Sequence, residues 1–250
     1  MEYQRVFKRY ELKYRMTVEQ AQKLLEAMRP YMCPDRFGHS TVRNVYYDTD
    51  SYRLIRHSLE KPVYKEKLRL RSYTPISPQD KVFVELKKKY RSVVYKRRLT
   101  LPEGAAVGWL GGGEYPGTPS QIADEIGYFR DYYETLHPAV YLSYERDAFA
   151  AVDGSDLRIT FDGNIRARQD RLWLCEEPGG VLLLPTDEVL MEIKTAGAIP
   201  LWLAHTLDSM ELRKTSFSKY GTAYMQFIRE FVKSEKGDFQ YADCTVQGDF

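Results

Sequence analysis

Apolar and polar residues alternate over many stretches of this chain. In residues 64–72, for example, Leu68 and Leu70 lie on one side of an extended backbone and basic residues lie on the other. Such alternation is typical of strands that bury one face. With the prolines and turn residues between the stretches, it predicts strands at about 1–15, 41–49, 63–73, 81–90, 92–101, 139–150, 156–168, 171–176, 181–185 and 188–195.

Capping signals and helical spacing predict a smaller number of helices. A capping box opens a helix at about 17–30, and a second capping box at Thr118 predicts a helix to about residue 136. Shorter helices are predicted at about 200–212 and 217–233. The glycine-rich segment 104–117 lacks the Lys-Ser or Lys-Thr of a phosphate-binding loop, so it is interpreted as a surface linker.

The order of these elements indicates the fold class. Eight to ten strands follow one another in a meander-like order, with helices only near the termini and in one mid-chain insertion. The regular β-α-β alternation of a doubly wound sheet is absent. We therefore expect a mainly β (α+β) protein with an antiparallel sheet or barrel. One domain is expected over residues 1–236, followed by a flexible tail over 237–250.

Composition excludes several classes of protein. The 250 residues are 43% hydrophobic, enough to bury a sizeable core, and 37 basic residues face 35 acidic ones. No apolar run approaches the ~20 residues of a membrane span, and no secretory signal is evident, so a soluble, cytoplasmic protein is expected. The three cysteines and four histidines lack the spacing of zinc ligands.

Charged residues are concentrated on one face of the predicted strands. In addition to Lys65, Lys67, Arg69 and Arg71 on one strand, the polar-face residues of the others are Glu85, Lys87, Lys89, Tyr144, Arg146, Arg158, Thr160, Asp162, Glu192 and Lys194. One alternative is an outer face in solvent, with helices covering the apolar face. The other is a sheet closed on itself with a cationic interior, which the small number of predicted helices favours.

Carboxylates recur beside lysines on this polar face. The spacing Glu-x-Lys occurs at Glu11/Lys13, Glu85/Lys87 and Glu192/Lys194. Cross-strand charge pairing, worth ~0.2–1 kcal/mol per pair, would account for it. Alternatively the face is a binding site, because inward cations repel one another unless a polyanion neutralises them, and carboxylates hold Mg²⁺ or Mn²⁺ together with phosphate oxygens. That interpretation predicts a phosphate-rich ligand.

Eight short motifs carry a family resemblance that no single motif would support. They lie in order at residues 10–14, 44–49, 67–71, 83–87, 144–146, 158–162, 190–194 and 216–220. From about residue 7 to residue 229, the chain resembles the polyphosphate-polymerase catalytic domain of the vacuolar transporter chaperone (VTC) family, within the triphosphate tunnel metalloenzymes.

The resemblance implies a closed, eight-stranded antiparallel tunnel in which the γ-phosphate of ATP is transferred to a growing polyphosphate chain with Mn²⁺ or Mg²⁺. It implies catalytic contacts to phosphate from Arg69, Arg71, Arg146, Arg158 and Lys87, and a metal ligand in Glu192. Motif position and alternation together imply phosphate binding by Lys13, Lys67, Lys89, Tyr144, Lys194 and Lys219.

The chain departs from the family pattern at two positions. The wider superfamily opens with Glu-x-Glu-x-Lys, and here Arg9 replaces the first glutamate. This departure disfavours a simple triphosphatase, whose site uses more carboxylates for metal. Near the C-terminus Ser216 stands where the family often has lysine, with Lys214 as a candidate substitute. Lys96 or Arg97 is a further candidate for the lining, since alternation turns only one of them inward.

Other functions remain open at this stage. The same tunnel would serve a non-catalytic sensor of polyphosphate or nucleoside triphosphate, or an inorganic triphosphatase. Nucleic-acid binding is disfavoured, because the net charge of +2 and the interleaved acids do not provide a basic groove. The expected partners are ATP and inorganic polyphosphate. No membrane span is expected in the chain itself, although a membrane protein is a candidate partner.

Overall fold

The computed structural model describes residues 10–91 and 93–228, and its main element is one antiparallel sheet. Within these residues the strands are β1 (Tyr10–Thr17), β2 (Met32–Asp48), β3 (Tyr64–Ser72), β4 (Lys81–Tyr90), β5 (Val93–Pro102), β6 (His137–Ala151), β7 (Arg158–Arg168), β8 (Val181–Leu182) and β9 (Glu188–Thr195). The prediction of a mainly β protein is confirmed. The predicted tail and the end of the last predicted helix lie outside the described residues.

The helices of the described chain are 5 to 12 residues long. They are α1 (Val18–Met28), α2 (Arg53–Leu59), α3 (Glu103–Leu110), α4 (Gln121–Tyr132), α5 (Leu201–Ser209) and α6 (Lys219–Ala223), which runs into a π-helical turn at Tyr224–Ile228. The capping box of α1 is present, since Thr17 and Gln20 each accept a hydrogen bond from the other's amide. No helix in the described ranges is long and apolar enough to cross a membrane.

The strand order matches an eight-stranded path. The strands follow one another as β1-β9-β7-β6-β2-β3-β4-β5, and the short β8 pairs with β7. The path ends at β1 and β5, and no backbone pairing joins these two strands in the described part of the chain. Hydrogen bonds therefore do not close the sheet, and the expected closed barrel is not confirmed.

The apolar face of the sheet is covered by helices. Leu70 of β3 lies in a buried cluster with Trp109 of α3 and Phe129 of α4. A second cluster on β1, β7 and β9 includes Leu24 of α1 and Leu203 of α5. The helices thus bury the leucine and valine side chains that alternate with charge, leaving the other face for the charged residues. The expectation that too few helices exist to cover the sheet was wrong.

The glycine-rich segment 104–117 is not a simple linker. Its first half forms α3, in which Trp109 and Leu110 are buried. A glycine inside a helix costs about 1 kcal/mol relative to alanine, whereas burying two large apolar side chains contributes more than that. Packing of the tryptophan and leucine against the sheet therefore overrides the low helix propensity of the glycines.

Helix α2 follows β2 directly and was not predicted. The Asp48 carboxylate accepts hydrogen bonds from the amides of Leu54 and Ile55 at 2.8 and 3.0 Å. The Thr49 hydroxyl accepts from the Arg53 amide at 3.0 Å. These side chains satisfy amides that would otherwise have no partner at the start of the helix. The Asp-Thr pair was the available signal in the sequence.

Residues 171–176 form a loop rather than the predicted strand. The buried guanidinium of Arg168 donates to the backbone carbonyls of Asp170, Arg171 and Glu177. Arg171 adopts a positive φ of 45°, which is incompatible with an extended strand. The hydrogen bonds from Arg168 therefore hold the backbone of this segment in a turn.

Three helix boundaries, at the start and end of α4 and at the end of α5, differ from the sequence prediction. Ser120 rather than Thr118 caps α4, because the serine hydroxyl accepts from the amide of Ala123. Helix α4 ends at Tyr132 and α5 ends at Ser209, each a few residues before the predicted end.

Candidate functional site

A cluster of basic residues surrounds Glu85 of β4 on the polar face of the sheet. Arg69 donates through Nε and Nη2 to Oε2 of Glu85 at 2.9 and 2.7 Å. Lys96 Nζ lies 2.6 Å from Oε1, and Arg98 Nε donates to the same oxygen at 2.7 Å. Burial alone would raise the pKa of Glu85, but the charges of Arg69, Arg71 and Lys96 outweigh it and hold the pKa well below its usual range. The ionised carboxylate orients the surrounding cations.

Two residues of β2 fix the guanidinium groups of the predicted arginines. Arg71 Nε donates to Oδ1 of Asn44 at 2.9 Å, and its Nη2 donates to the Tyr144 hydroxyl at 3.0 Å. The Tyr46 hydroxyl accepts from Arg69 Nη1 at 2.9 Å. Because Asn44 and Tyr46 are two residues apart on one strand, they face the same side. Each therefore orients one arginine on the polar face.

A second cluster lies around Asp162 of β7 and Glu192 of β9. Arg146 donates through Nε and Nη2 to the two oxygens of Asp162 at 2.6 and 2.7 Å. Lys219, the first residue of α6, places Nζ 2.6 Å from Asp162 and 3.2 Å from Glu192. Burial alone would raise the pKa of Glu192, but Lys219 and the neighbouring lysines hold it well below its usual range. Both carboxylates are thus ionised and paired.

Lys13 joins β1 to the Glu192 carboxylate. Its Nζ lies 3.3 Å from Glu192 and also 3.3 Å from Glu11, while Lys194 lies 3.4 Å from Glu192. The other oxygen of Glu11 is 3.5 Å from Nζ of Lys87 on β4. Strands β1 and β4 are separated by five strands along the sheet. The Glu11–Lys87 pair therefore requires the sheet to curl until its two ends face each other.

The free edge of β1 is covered by the segment 214–218. The Thr215 amide donates to the carbonyl of Lys13 at 2.7 Å. At the other end of the segment, the Ser218 hydroxyl accepts from Nζ of Lys67 on β3 at 3.1 Å. The segment thus contacts both β1, the strand at one end of the sheet, and β3.

The structure brings most of the predicted site residues into this network. The residues that it brings together are Lys13, Lys67, Arg69, Arg71, Lys87, Tyr144, Arg146, Glu192, Lys194 and Lys219. Arg158 is exposed at the start of β7, and Lys89 is half-buried on β4. Neither residue forms an ion pair with a described residue, and neither does the exposed Lys214 that was the candidate substitute for Ser216. Arg9 lies outside the described residues.

The choice between Lys96 and Arg97 is settled by their contacts. Lys96 reaches Glu85 on the polar face, whereas Arg97 lies on the opposite face and donates to Glu125 of α4 at 3.1 Å. Arg98, which sequence reasoning missed, shares the polar face with Lys96. The alternation that selected the basic residues of β3 would have found Arg98 on β5 as well.

Cations outnumber carboxylates in the network. Nine basic side chains pair with four carboxylates, which are Glu11, Glu85, Asp162 and Glu192. Lys67 has no carboxylate partner among the described residues, and burial together with Lys87 and Lys65 lowers its pKa to about 8. A concentration of cations that lacks matching carboxylates stabilises a bound polyanion. Arginine forks suit non-bridging phosphate oxygens, and lysines supply point charges.

The donor set fits a divalent metal only in combination with a ligand. No three Asp, Glu, His or Cys side chains of the described residues are grouped to hold a metal by themselves. Glu11 and Glu192 both approach the Lys13 ammonium, so the fold already places one cation between two hard oxygen donors. Mg²⁺ and Mn²⁺ are commonly held by one or two carboxylates plus phosphate oxygens. The two glutamates fit such a metal.

The curled antiparallel sheet and its cationic face agree with the class to which VTC domains belong, the triphosphate tunnel metalloenzymes. Within that class the chain belongs to the VTC domain family, whose model matches residues 8–228. Divalent metal dependence is implied by this membership.

Solved structures with similar folds have little sequence identity to the chain. A Bacillus halodurans protein proposed to be an adenylate cyclase is 16% identical, with a TM-score of 0.51 over 88% of this chain and 95% of that one. A Hippeastrum protein, proposed to be an adenylyl cyclase and described as having a dominant triphosphatase activity, is 18% identical, with a TM-score of 0.49 over 84% and 92%. Among curated proteins, no sequence matches significantly.

Proposed function

We propose that the chain is a metal-dependent polyphosphate polymerase that transfers the γ-phosphate of ATP to a growing polyphosphate chain within a tunnel. The observation that carries the proposal is the excess of cations over carboxylates on a face whose ends meet through the Glu11–Lys87 pair. Membership of the VTC domain family supports the polymerase in particular. The segment 214–218 and the curled sheet would together form the tunnel wall.

The proposed step is an in-line phosphoryl transfer. A terminal oxygen of the acceptor chain forms a bond to the γ-phosphorus, and the bond from that phosphorus to the β–γ bridging oxygen breaks, so that ADP leaves. Negative charge increases on the leaving oxygen, and catalysis consists mostly of positioning and electrostatic stabilisation. Arg69 and Arg71, already oriented by Tyr46 and Asn44, would bind the transferring phosphoryl group.

The Glu192 cluster would contribute on the opposite side of the phosphates. Arg146, Lys194 and Lys219 would pair with phosphate oxygens, and Lys13 would exchange its carboxylate partners for phosphate when Glu11 and Glu192 hold the metal. When bound, Mn²⁺ or Mg²⁺ would neutralise charge on the bridging and leaving oxygens. Arg158 and Lys89, outside the ion-pair network, would contact a longer chain.

An inorganic triphosphatase is the second candidate. It is favoured by the proximity of Glu11 and Glu192, which share the Lys13 ammonium and would hold a metal. A metal of this kind also serves hydrolysis, with water instead of a phosphate chain as the acceptor. The two functions differ in the acceptor, so the reaction product distinguishes them.

The test is to incubate the purified protein with ATP and Mn²⁺, separate the products on a gel that resolves polyphosphate lengths, and assay free phosphate in parallel. The polymerase predicts a metal-dependent ladder that Glu192→Ala abolishes. Free phosphate without a ladder would show hydrolysis instead of polymerisation and would favour the triphosphatase. Binding of ATP without turnover would identify a sensor, and normal activity of Glu192→Ala would exclude the metal role of this residue.

The lowered pKa of Lys67 predicts a loss of phosphate affinity at alkaline pH. Its pKa of about 8 means that the ammonium loses its proton as the pH rises through that value. Burial would raise the pKa of Tyr46, but Arg69 and Lys67 lower it to about 8 while Lys67 is charged. We expect Kd for inorganic triphosphate to rise at least about tenfold between about pH 7 and about pH 10.

The control for this pH dependence is Lys67→Arg. An arginine keeps its charge over the whole range, so the variant should show a flatter dependence measured by calorimetry. An equally steep rise in the variant would assign the pH dependence to other groups.

A further inference from the structure

A cavity outside the cationic face lies between α2, α4 and the start of β3. Its volume is about 590 Å³, and aromatic rings of Tyr64, Tyr128, Phe129, Tyr132 and Tyr133 line much of it. Such a volume is within the range of sites for small organic ligands. The network of ion pairs described above does not include these rings.

Two of the tyrosines in this lining are largely exposed. Tyr128 and Tyr132 are 72% and 53% exposed, and lie one turn apart on α4 with centroids 6.2 Å apart and planes inclined by 23°. The guanidinium of Arg53 lies over the rings of Tyr132 and Tyr133, at 5.7 and 5.4 Å from their centroids. Exposed tyrosine rings bind flat aromatic groups by stacking.

A row of lysines runs from the cavity to the polar face. Lys65 lines the cavity, and its Nζ donates to the carbonyl of Ser58 at the end of α2. Lys65 and Lys67 alternate onto the same face of β3, about 6.6 Å apart along the strand. Lys89 lies directly opposite Lys65 on β4. None of these three lysines has a carboxylate partner in the residues that the structure describes.

The row of lysines predicts how a ligand bound in the cavity would be oriented. An aromatic group in the cavity would lie beside Lys65, and a chain of phosphates extending from it would pass around the start of β3 to reach Lys67 and Lys89 on the polar face. Lys67 and Arg69 both lie close to Tyr46, since the charge of Lys67 lowers the pKa of Tyr46 and Arg69 donates to the Tyr46 hydroxyl. A ligand with an aromatic base at one end and several phosphates at the other matches this order.

We infer that this cavity is the base-binding part of the site, which receives the nucleobase of a nucleoside triphosphate and so distinguishes a nucleotide from inorganic triphosphate as the phosphate donor. The inference rests on the proposed function, since it requires phosphates on the cationic face. Stacking accounts for binding of a base without selecting among bases, because each base has a π-face.

The test compares two ligands on two variants of the full chain. Kd for ATP and for inorganic triphosphate is measured by calorimetry without added metal, so that turnover does not interfere. Tyr132→Ala should raise Kd for ATP about 5- to 30-fold, since stacking of one base is worth this factor, and leave Kd for inorganic triphosphate within about twofold. Tyr132→Phe keeps the ring and should bind ATP like the wild type.

The outcomes separate this inference from the function on which it rests. If Tyr132→Ala weakens both ligands alike, or neither, the cavity does not receive the base, although triphosphate binding stands. If the unmodified protein binds neither ligand, the proposed function fails and the base site fails with it. Since Tyr132 is half exposed, its replacement should not unfold the chain, and an unchanged melting temperature verifies this.

Discussion

Asp162→Asn should lower the free energy of unfolding by about 3–5 kcal/mol, the largest loss of stability expected from a single substitution in the site. The Asp162 side chain is fully buried and pairs with both Arg146 and Lys219. Removing one partner of a buried ion pair leaves the other charge without compensation, which costs this amount. Here two buried cations would remain, with Glu192 as their only nearby carboxylate in the described residues.

Chemical denaturation measures this loss, and a thermal scan should show a decrease of roughly 10 °C in melting temperature. Asp147→Asn is the matched control, because Asp147 lies on the neighbouring strand β6 with its side chain 53% exposed and, among the described residues, pairs only with His39. The control should lose less than about 1 kcal/mol. Equal effects of the two substitutions would contradict the assignment of Asp162 as the buried counter-charge of the site.

Arg69→Ala should lower kcat about 10²–10³-fold, the range typical of losing one donor that stabilises transition-state charge. The guanidinium is oriented by Glu85 and Tyr46 before any ligand binds, so its contribution requires no reorganisation. Glu85 would still be paired with Lys96 and Arg98 in the variant. The loss should therefore appear in turnover with little change in melting temperature.

Arg97→Ala is the control for this substitution. Arg97 lies on the same sheet but faces α4, where it pairs with Glu125. Its removal deletes an equal charge from the opposite face and should leave turnover within about twofold. If Arg97→Ala reduced turnover as much as Arg69→Ala, long-range charge rather than the oriented guanidinium would explain the effect.

Strand alternation was sufficient to predict which residues share the polar face. It placed Arg69, Arg71 and Glu85 together, because side chains in a strand alternate whatever the curvature of the sheet. The same rule, applied to β5, accounts for Lys96 and Arg98. The family resemblance added the expectation of eight antiparallel strands in a closed sheet; eight strands form the path of the sheet, but hydrogen bonds do not close it in the described residues.

Contacts between distant elements could not be predicted from spacing within a strand. Lys87 pairs with Glu11 rather than with Glu85 on its own strand, since the partner is chosen by how the sheet curls. Likewise, Asp162 is recognisable as polar, but its partner Lys219 is positioned by α6, 57 residues away in sequence. The cover of β1 by segment 214–218 depends in the same way on tertiary packing.

The most direct test follows the γ-phosphate of ATP itself. ATP labelled at that phosphate is mixed with the protein, Mn²⁺ and a short polyphosphate acceptor, and the label is traced to free phosphate, ATP or polyphosphate. The account predicts label in polyphosphate chains longer than the acceptor, with one ADP formed for each phosphate transferred. Label recovered only as free phosphate, or retained entirely in ATP, would contradict it.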